Sequence, residues 1–135
     1  VISFAYSTIA EIYGTVIHAP AGQEVGGLFF GLDGGVLYAG ACENAAADQH
    51  GQFAIAPAAQ AAVIGMAADL GYELLGSFHT HPEGSAQMSR PDVATAEATG
   101  LLLIIATGDP RWEWKLFDPG AGGEVQFAIS PPESP

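Results

Sequence analysis

The chain has 135 residues, with fifteen acids against three basic residues and a formal net charge of −12. That length allows one domain with a real core, and not two. The charge argues against nucleic acid and anionic membranes as partners, and no apolar stretch approaches the roughly 20 residues that span a bilayer.

In chain order, STIAEIYGTVIHAP (Ser7–Pro20) is expected to form a first helix. Ile9, Ile12, Tyr13, Val16 and Ile17 recur at helical spacing, Thr8 and Glu11 suggest a capping box, and Ala19-Pro20 with Gly22 end it. Two apolar runs follow in EVGGLFFGLDGGVLYAGACENAA, and the Asp33-Gly34 pair between them is a hairpin signal. A third short strand is expected at Gln52–Ala56. A second helix then runs from Pro57 to a stop at Gly71. YELLGSFHTH (Tyr72–His81) is apolar and alternating enough for a buried strand.

SRPDVATAEATG (Ser89–Gly100) is a short third helix stopped by Gly100. LLLIIAT, RWEWKLFD and EVQFAIS are three more strands, joined by Gly-Asp-Pro and Pro-Gly-Ala-Gly-Gly turns, and the tail PPESP is expected to fray. Nothing divides the chain into segments. The expected fold is an α/β single domain over residues 1–135, a mixed sheet flanked by helices.

The single cysteine, Cys42, excludes an intramolecular disulfide framework, fits a reducing cytosol and reads as a small buried hydrophobe. No charged stretch leading into an apolar one opens the chain, so a cytoplasmic location is expected. The acidity is equally consistent with a basic-faced partner and with plain solubility.

Chemistry concentrates in GSFHTHPEGSAQMSRPD (Gly76–Asp92). Along a strand, residues i and i+2 share a face, so His79 and His81 present two imidazoles side by side at a strand end. Ser89 is a natural N-cap and Pro91 suits a first helical turn, which puts Asp92 at N3. The loop Pro82–Met88 can fold that helix start over the strand end, where the dipole favours an ionised carboxylate. Ser-x-x-Asp alone is usually only a helix start, and His-x-His on a strand is often structural. Together they compose an open zinc site of two imidazoles and one carboxylate. Hydrolysis there needs a proton acceptor, for which Glu24, before Gly26 and Gly27, suits better than Glu83 in the loop.

Glu24 in EVGGLFFG, His79 and His81 in HTHP, and Ser89 with Asp92 in SRPD resemble the JAMM (MPN-plus, Mov34) zinc metalloprotease motif, small prokaryotic type. FAIAP at Phe53–Pro57 is similar too, and the likeness runs from Ser7 to Ile129. It implies a fold similar to cytidine deaminase and Zn2+ held by His79, His81 and Asp92. Glu24 would take a proton from water and deliver it to the leaving amine, and Ser89 would donate to the oxyanion. The implied substrate is an amide bond after the C-terminal Gly-Gly of a ubiquitin-like protein or sulfur carrier. Long insertions and a second zinc site, found in some eukaryotic members, have no counterpart here, and the loop Pro82–Met88 is the expected rim of the cleft. His18 and His50 match no motif position and suit surface or capping roles.

Two alternatives use the same residues differently: a peptidase releasing a single amino acid such as cysteine from a sulfur carrier, or a catalytically silent scaffold. The complete motif weighs against the scaffold. An amidohydrolase barrel using His-x-His would need a far longer chain.

Overall fold

A computed structural model of the chain describes residues 2–108 and 112–131. Its elements are β1 (Ile2–Ala5), α1 (Tyr6–Ile17), β2 (Gly26–Leu32), β3 (Gly35–Cys42), α2 (Pro57–Asp69), β4 (Glu73–His81), α3 (Arg90–Thr99), β5 (Leu101–Ala106), β6 (Glu113–Asp118), β7 (Gly123–Val125) and β8 (Phe127–Ser130). All strands join one mixed sheet in the order β7-β6-β5-β4-β2-β3-β1-β8. The expected mixed sheet flanked by helices is what forms.

Helix α1 packs Ile12 and Val16 against Phe4, Phe29, Phe78, Leu103 and Ile105 on one face of the sheet. The alternate strand residues face the other two helices: Leu28 and Phe30 meet Ala67 of α2, and Leu102 and Ile104 meet Ala96 of α3. β7 and β8 lie at opposite ends of the strand order, yet only Gln126 separates them in the chain. The sheet is therefore curled until its two edges meet at one continuous segment.

The hairpin turn forms as expected, with Asp33 at φ 53° and Gly34 at φ 80°, both in the left-handed region that a tight reversal requires. Helix α2 opens on Pro57, and α3 is capped by Ser89 and closed by Gly100.

Four expectations change. Strand β1 was not anticipated, because it runs into α1 without a break and pairs only with the distant β3 and β8. Helix α1 starts at Tyr6 with Ala5 as its N-cap, so Thr8 lies inside the first turn, buried, and forms no capping box with Glu11. Gln52–Ala56 is not a strand: its Gln52 carbonyl and Ala54 N–H bond to the Asn44 side chain rather than to a ladder. EVQFAIS is shared between two sheet edges, β6 holding Val125 and β1 holding Phe127–Ser130. The Asp109-Pro110 turn, Arg111 and the last four residues of the tail fall outside the described residues.

At the strand end that matters most, the backbones touch. A Cβ on Gly26 would lie 2.0 Å from the Phe78 carbonyl oxygen and 2.9 Å from the Cα of His79, which is its partner across the β2–β4 ladder. Replacing Gly26 by Ala therefore forces β2 and β4 apart beside His79. We expect a loss of about 2–3 kcal/mol of stability, checked by urea denaturation; a midpoint equal to that of the parent would contradict the close approach.

Candidate metal centre

The site is built by the tip of β4 and the first turn of α3, on the sheet face that carries α2 and α3. Alternation points His79 and His81 the same way, and their Nε2 atoms lie 3.2 Å apart. The loop Pro82–Met88 turns the chain back, and Ser89 caps α3 by accepting from the Asp92 N–H at 3.3 Å. Asp92 returns the bond through Oδ2, 2.8 Å from the Ser89 N–H, completing a capping box that fixes the carboxylate. Its oxygens reach the imidazoles: Oδ1 is 2.8 Å from His79 Nε2 and Oδ2 is 3.1 Å from His81 Nε2. His79 and Asp92 are buried, 3% and 6% exposed, so these groups meet largely out of water.

Protonation follows from the bonds. His81 Nδ1 faces the Ser85 carbonyl at 2.9 Å, and a carbonyl can only accept, so Nδ1 carries the hydrogen and the neutral ring's lone pair sits on Nε2. That lone pair points at the Asp92 carboxylate and at His79 Nε2. Two acceptors, His81 Nε2 and the Asp92 carboxylate, do not meet at 3.1 Å unless a cation lies between them, either a proton or a metal ion. In the metal-free chain a proton serves: the Asp92 hydrogen bond pushes His81 above its ordinary value, against desolvation. Burial alone would raise Asp92, but bonds from His79 and His81 outweigh it and hold the carboxyl well below the usual range.

Glu24 stands just ahead of β2, buried, with its carboxylate and the two imidazole nitrogens within 4.8 Å of one another. Asp92 makes the shorter contacts with the two imidazoles. Burial raises the Glu24 carboxyl, against the pull of His79 and His81.

The family described as Prok-JAB, prokaryotic homologs of the JAB domain, matches residues 13–117. The chain belongs to this family. Among solved structures, protein DSY2949 from Desulfitobacterium hafniense superposes with a TM-score of 0.81 at 24% identity, covering 96% of this chain and 93% of that one. AF2198, a JAB1/MPN domain protein from Archaeoglobus fulgidus, gives 0.60 at 17% identity, with 95% and 98% covered. A structure described as "JAMM: A Metalloprotease-like Zinc Site in the Proteasome and Signalosome" gives 0.60 at 15% identity, with 97% and 99% covered. These likenesses establish a shared fold. No match was found among curated proteins.

In this Prok-JAB domain the structure brings Glu24, His79, His81 and Asp92 together. Ser89 adjoins them through its cap, and a hydroxyl that accepts through a lone pair can still donate its proton. Glu83 is exposed in the loop. His18 and His50 stand apart from the centre, each bonded through Nδ1 to a nearby carbonyl, of Gly14 and Gly22. Cys42 is half-buried against the α2 cluster, where desolvation raises its thiol pKa. No helix among the described residues is long and apolar enough to cross a membrane.

Sequence reasoning assigned no role to two neighbours of the site. Phe53 stacks on the His79 ring, with centroids 5.9 Å apart and planes 7° from parallel. Asn44 is buried and bonds the main chain around Glu24. The available signal was a lone amide after an apolar strand, in a stretch otherwise rich in alanine, which alone says little.

Proposed function

We propose that this domain is a zinc-dependent metallopeptidase that hydrolyses the amide bond after the C-terminal Gly-Gly of a ubiquitin-like protein or sulfur carrier. The observation that carries the reading is the convergence of two imidazole nitrogens and a carboxylate with a buried glutamate alongside. Tetrahedral zinc with ligands at 2.0–2.1 Å separates them by roughly 3.3 Å, and its catalytic sites favour three protein ligands with one open position. The contacts here, 2.8, 3.1 and 3.2 Å, fit that demand with an N2O donor set. Zinc held by His79, His81 and Asp92 would lower the pKa of a bound water to about 7 and polarise the scissile carbonyl.

The chain's own residues do the rest. Glu24 takes a proton from the attacking water and passes it to the leaving amine. The Ser85 carbonyl keeps the His81 ring in its ligating tautomer, as partners of metal-bound histidines commonly do. Ser89 donates to the developing oxyanion while its lone pair caps α3. An extended Gly-Gly tail suits a site at the open ends of strands, because glycine lets the peptide approach β2 and β4 closely.

The test loads the protein with zinc and offers Gly-Gly conjugates bearing lysine, a peptide or free cysteine on the leaving side. Near one zinc per chain and release of one leaving group would support the proposal, and the leaving group accepted separates an isopeptidase from a cysteine-releasing peptidase. Zinc bound without any cleavage would return the domain to a scaffold. Ser89→Ala should keep its zinc, lose about 1 kcal/mol of stability with the cap, and cleave 10²–10³-fold more slowly. Loss of stability alone would confine Ser89 to the cap.

A further inference from the structure

Glu24 belongs to no helix or strand, yet its backbone is gripped on every side. Its N–H donates to the Gln49 carbonyl at 2.7 Å, and its carbonyl accepts from Asn44 Nδ2 at 2.9 Å. The next N–H, of Val25, donates to Thr80 Oγ1 at 3.0 Å, and the Val25 carbonyl accepts from the Thr80 N–H at 2.9 Å. Thr80 ties this segment to β4 between the two histidines. Asn44 ties it to the loop around Gln52 and Ala54.

The Asn44 side chain, 9% exposed, is fully committed. Nδ2 donates to the carbonyls of Glu24 and Gln52, at 2.9 and 2.8 Å. Oδ1 accepts from the N–H groups of Ala46 and Ala54, at 3.0 and 3.2 Å. Two donors and two lone pairs are all an amide owns, so no partner can shift without leaving a buried polar group unpaired. Gln52 and Ala54 flank Phe53, whose ring stacks on His79. The Asn44 carbonyl also accepts from Gln49 Nε2 at 3.0 Å, steadying the residue that holds the Glu24 N–H.

We infer that Asn44 is a positioning residue with two arms: one aims Glu24 at the metal centre, and the other presses Phe53 against the His79 ring. The effect on rate rests on the hydrolase reading above; the placement of Phe53 does not. Asparagine suits the position for a chemical reason. Aspartate matches its size and keeps both acceptor bonds but offers the two carbonyls no donor, and alanine loses all four bonds.

The experiment compares the wild type with Asn44→Asp and Asn44→Ala, by zinc content, by kcat and KM on a Gly-Gly conjugate, and by NMR of the His79 ring protons in the metal-free chain, whose shifts carry the ring current of the stacked Phe53. The aspartate variant should bind zinc normally, keep the His79 shift and lose about 10–100-fold in kcat at unchanged KM, since a base displaced by about 1 Å costs that order. The alanine variant should lose kcat and the shift together. Wild-type kcat with an unmoved His79 signal in both variants would overturn the proposal, as would a loss confined to KM or to zinc content. If alanine prevents folding, the aspartate variant carries the test alone. Should the wild type cleave nothing, the hydrolase reading falls, and the alanine variant's His79 shift decides the Phe53 arm by itself.

Discussion

Glu24→Gln is expected to bind zinc as the parent does and to cleave about 10²–10⁴-fold more slowly, the range that positioned proton transfer supplies. The substitution keeps the size of the side chain and leaves the backbone bonds to Gln49 and Asn44 untouched, so the fold around the site should stand. An amide cannot take the water's proton at neutral pH. Burial raises the native carboxyl above its ordinary value, while the neighbouring imidazoles favour its ionised form, so the native side chain is more basic than a solvated carboxylate. Zinc content by elemental analysis, with kcat on a Gly-Gly conjugate, checks both halves. Parental cleavage by the variant would remove Glu24 from the mechanism and direct the search for a base to Glu83.

The second large effect concerns the ligands. His79→Ala should abolish stoichiometric zinc, a loss beyond the roughly 10–100-fold in affinity that outer-shell changes cost. With the metal should go the stabilisation it brings, about 4 kcal/mol at a thousandfold excess over Kd. A chelator should therefore lower the Tm of the parent and leave that of the variant alone. Equal sensitivity in both would place any bound zinc elsewhere.

That stabilisation should depend on pH with a definite sign. In the metal-free chain Asp92 is depressed, so its contribution is complete above the ordinary carboxylate value near 3.9 and is lost as pH falls toward its folded value. His81 is raised, so its contribution is complete below about 6.5 and is lost as pH rises through its folded value. Between about pH 4 and 6.5 a proton joins the two groups. Zinc must displace it, since a ligating imidazole is neutral. The zinc-induced rise in Tm should be larger at pH 8 than at pH 5.5. The opposite order would mean that the metal is not held by His81 and Asp92.

Much of this centre could be read from the chain because it is assembled from local rules. Strand alternation puts His79 and His81 on one face whatever else the fold does. A serine, a proline and an aspartate at cap, first-turn and N3 positions specify where α3 begins and which way Asp92 turns. Thr8 and Glu11 carry the same local signal, yet there the helix simply started earlier, from an extended β1 that only distant strands could recruit.

Taken alone, the chain determined the hairpin at Asp33-Gly34, the helices beginning at Pro57 and Arg90, and the pair of imidazoles with a carboxylate nearby. Each depends on a few neighbouring residues whose backbone preferences and side-chain reach are short-ranged. Tertiary structure decided what no short window contains: the curl that shares Gly123–Ser130 between two sheet edges, the conversion of Gln52–Ala56 from ladder to loop by Asn44, and the seat of Glu24 beside β4. Those depend on hydrogen bonds between segments far apart in the chain, whose partners exist only once the sheet has closed.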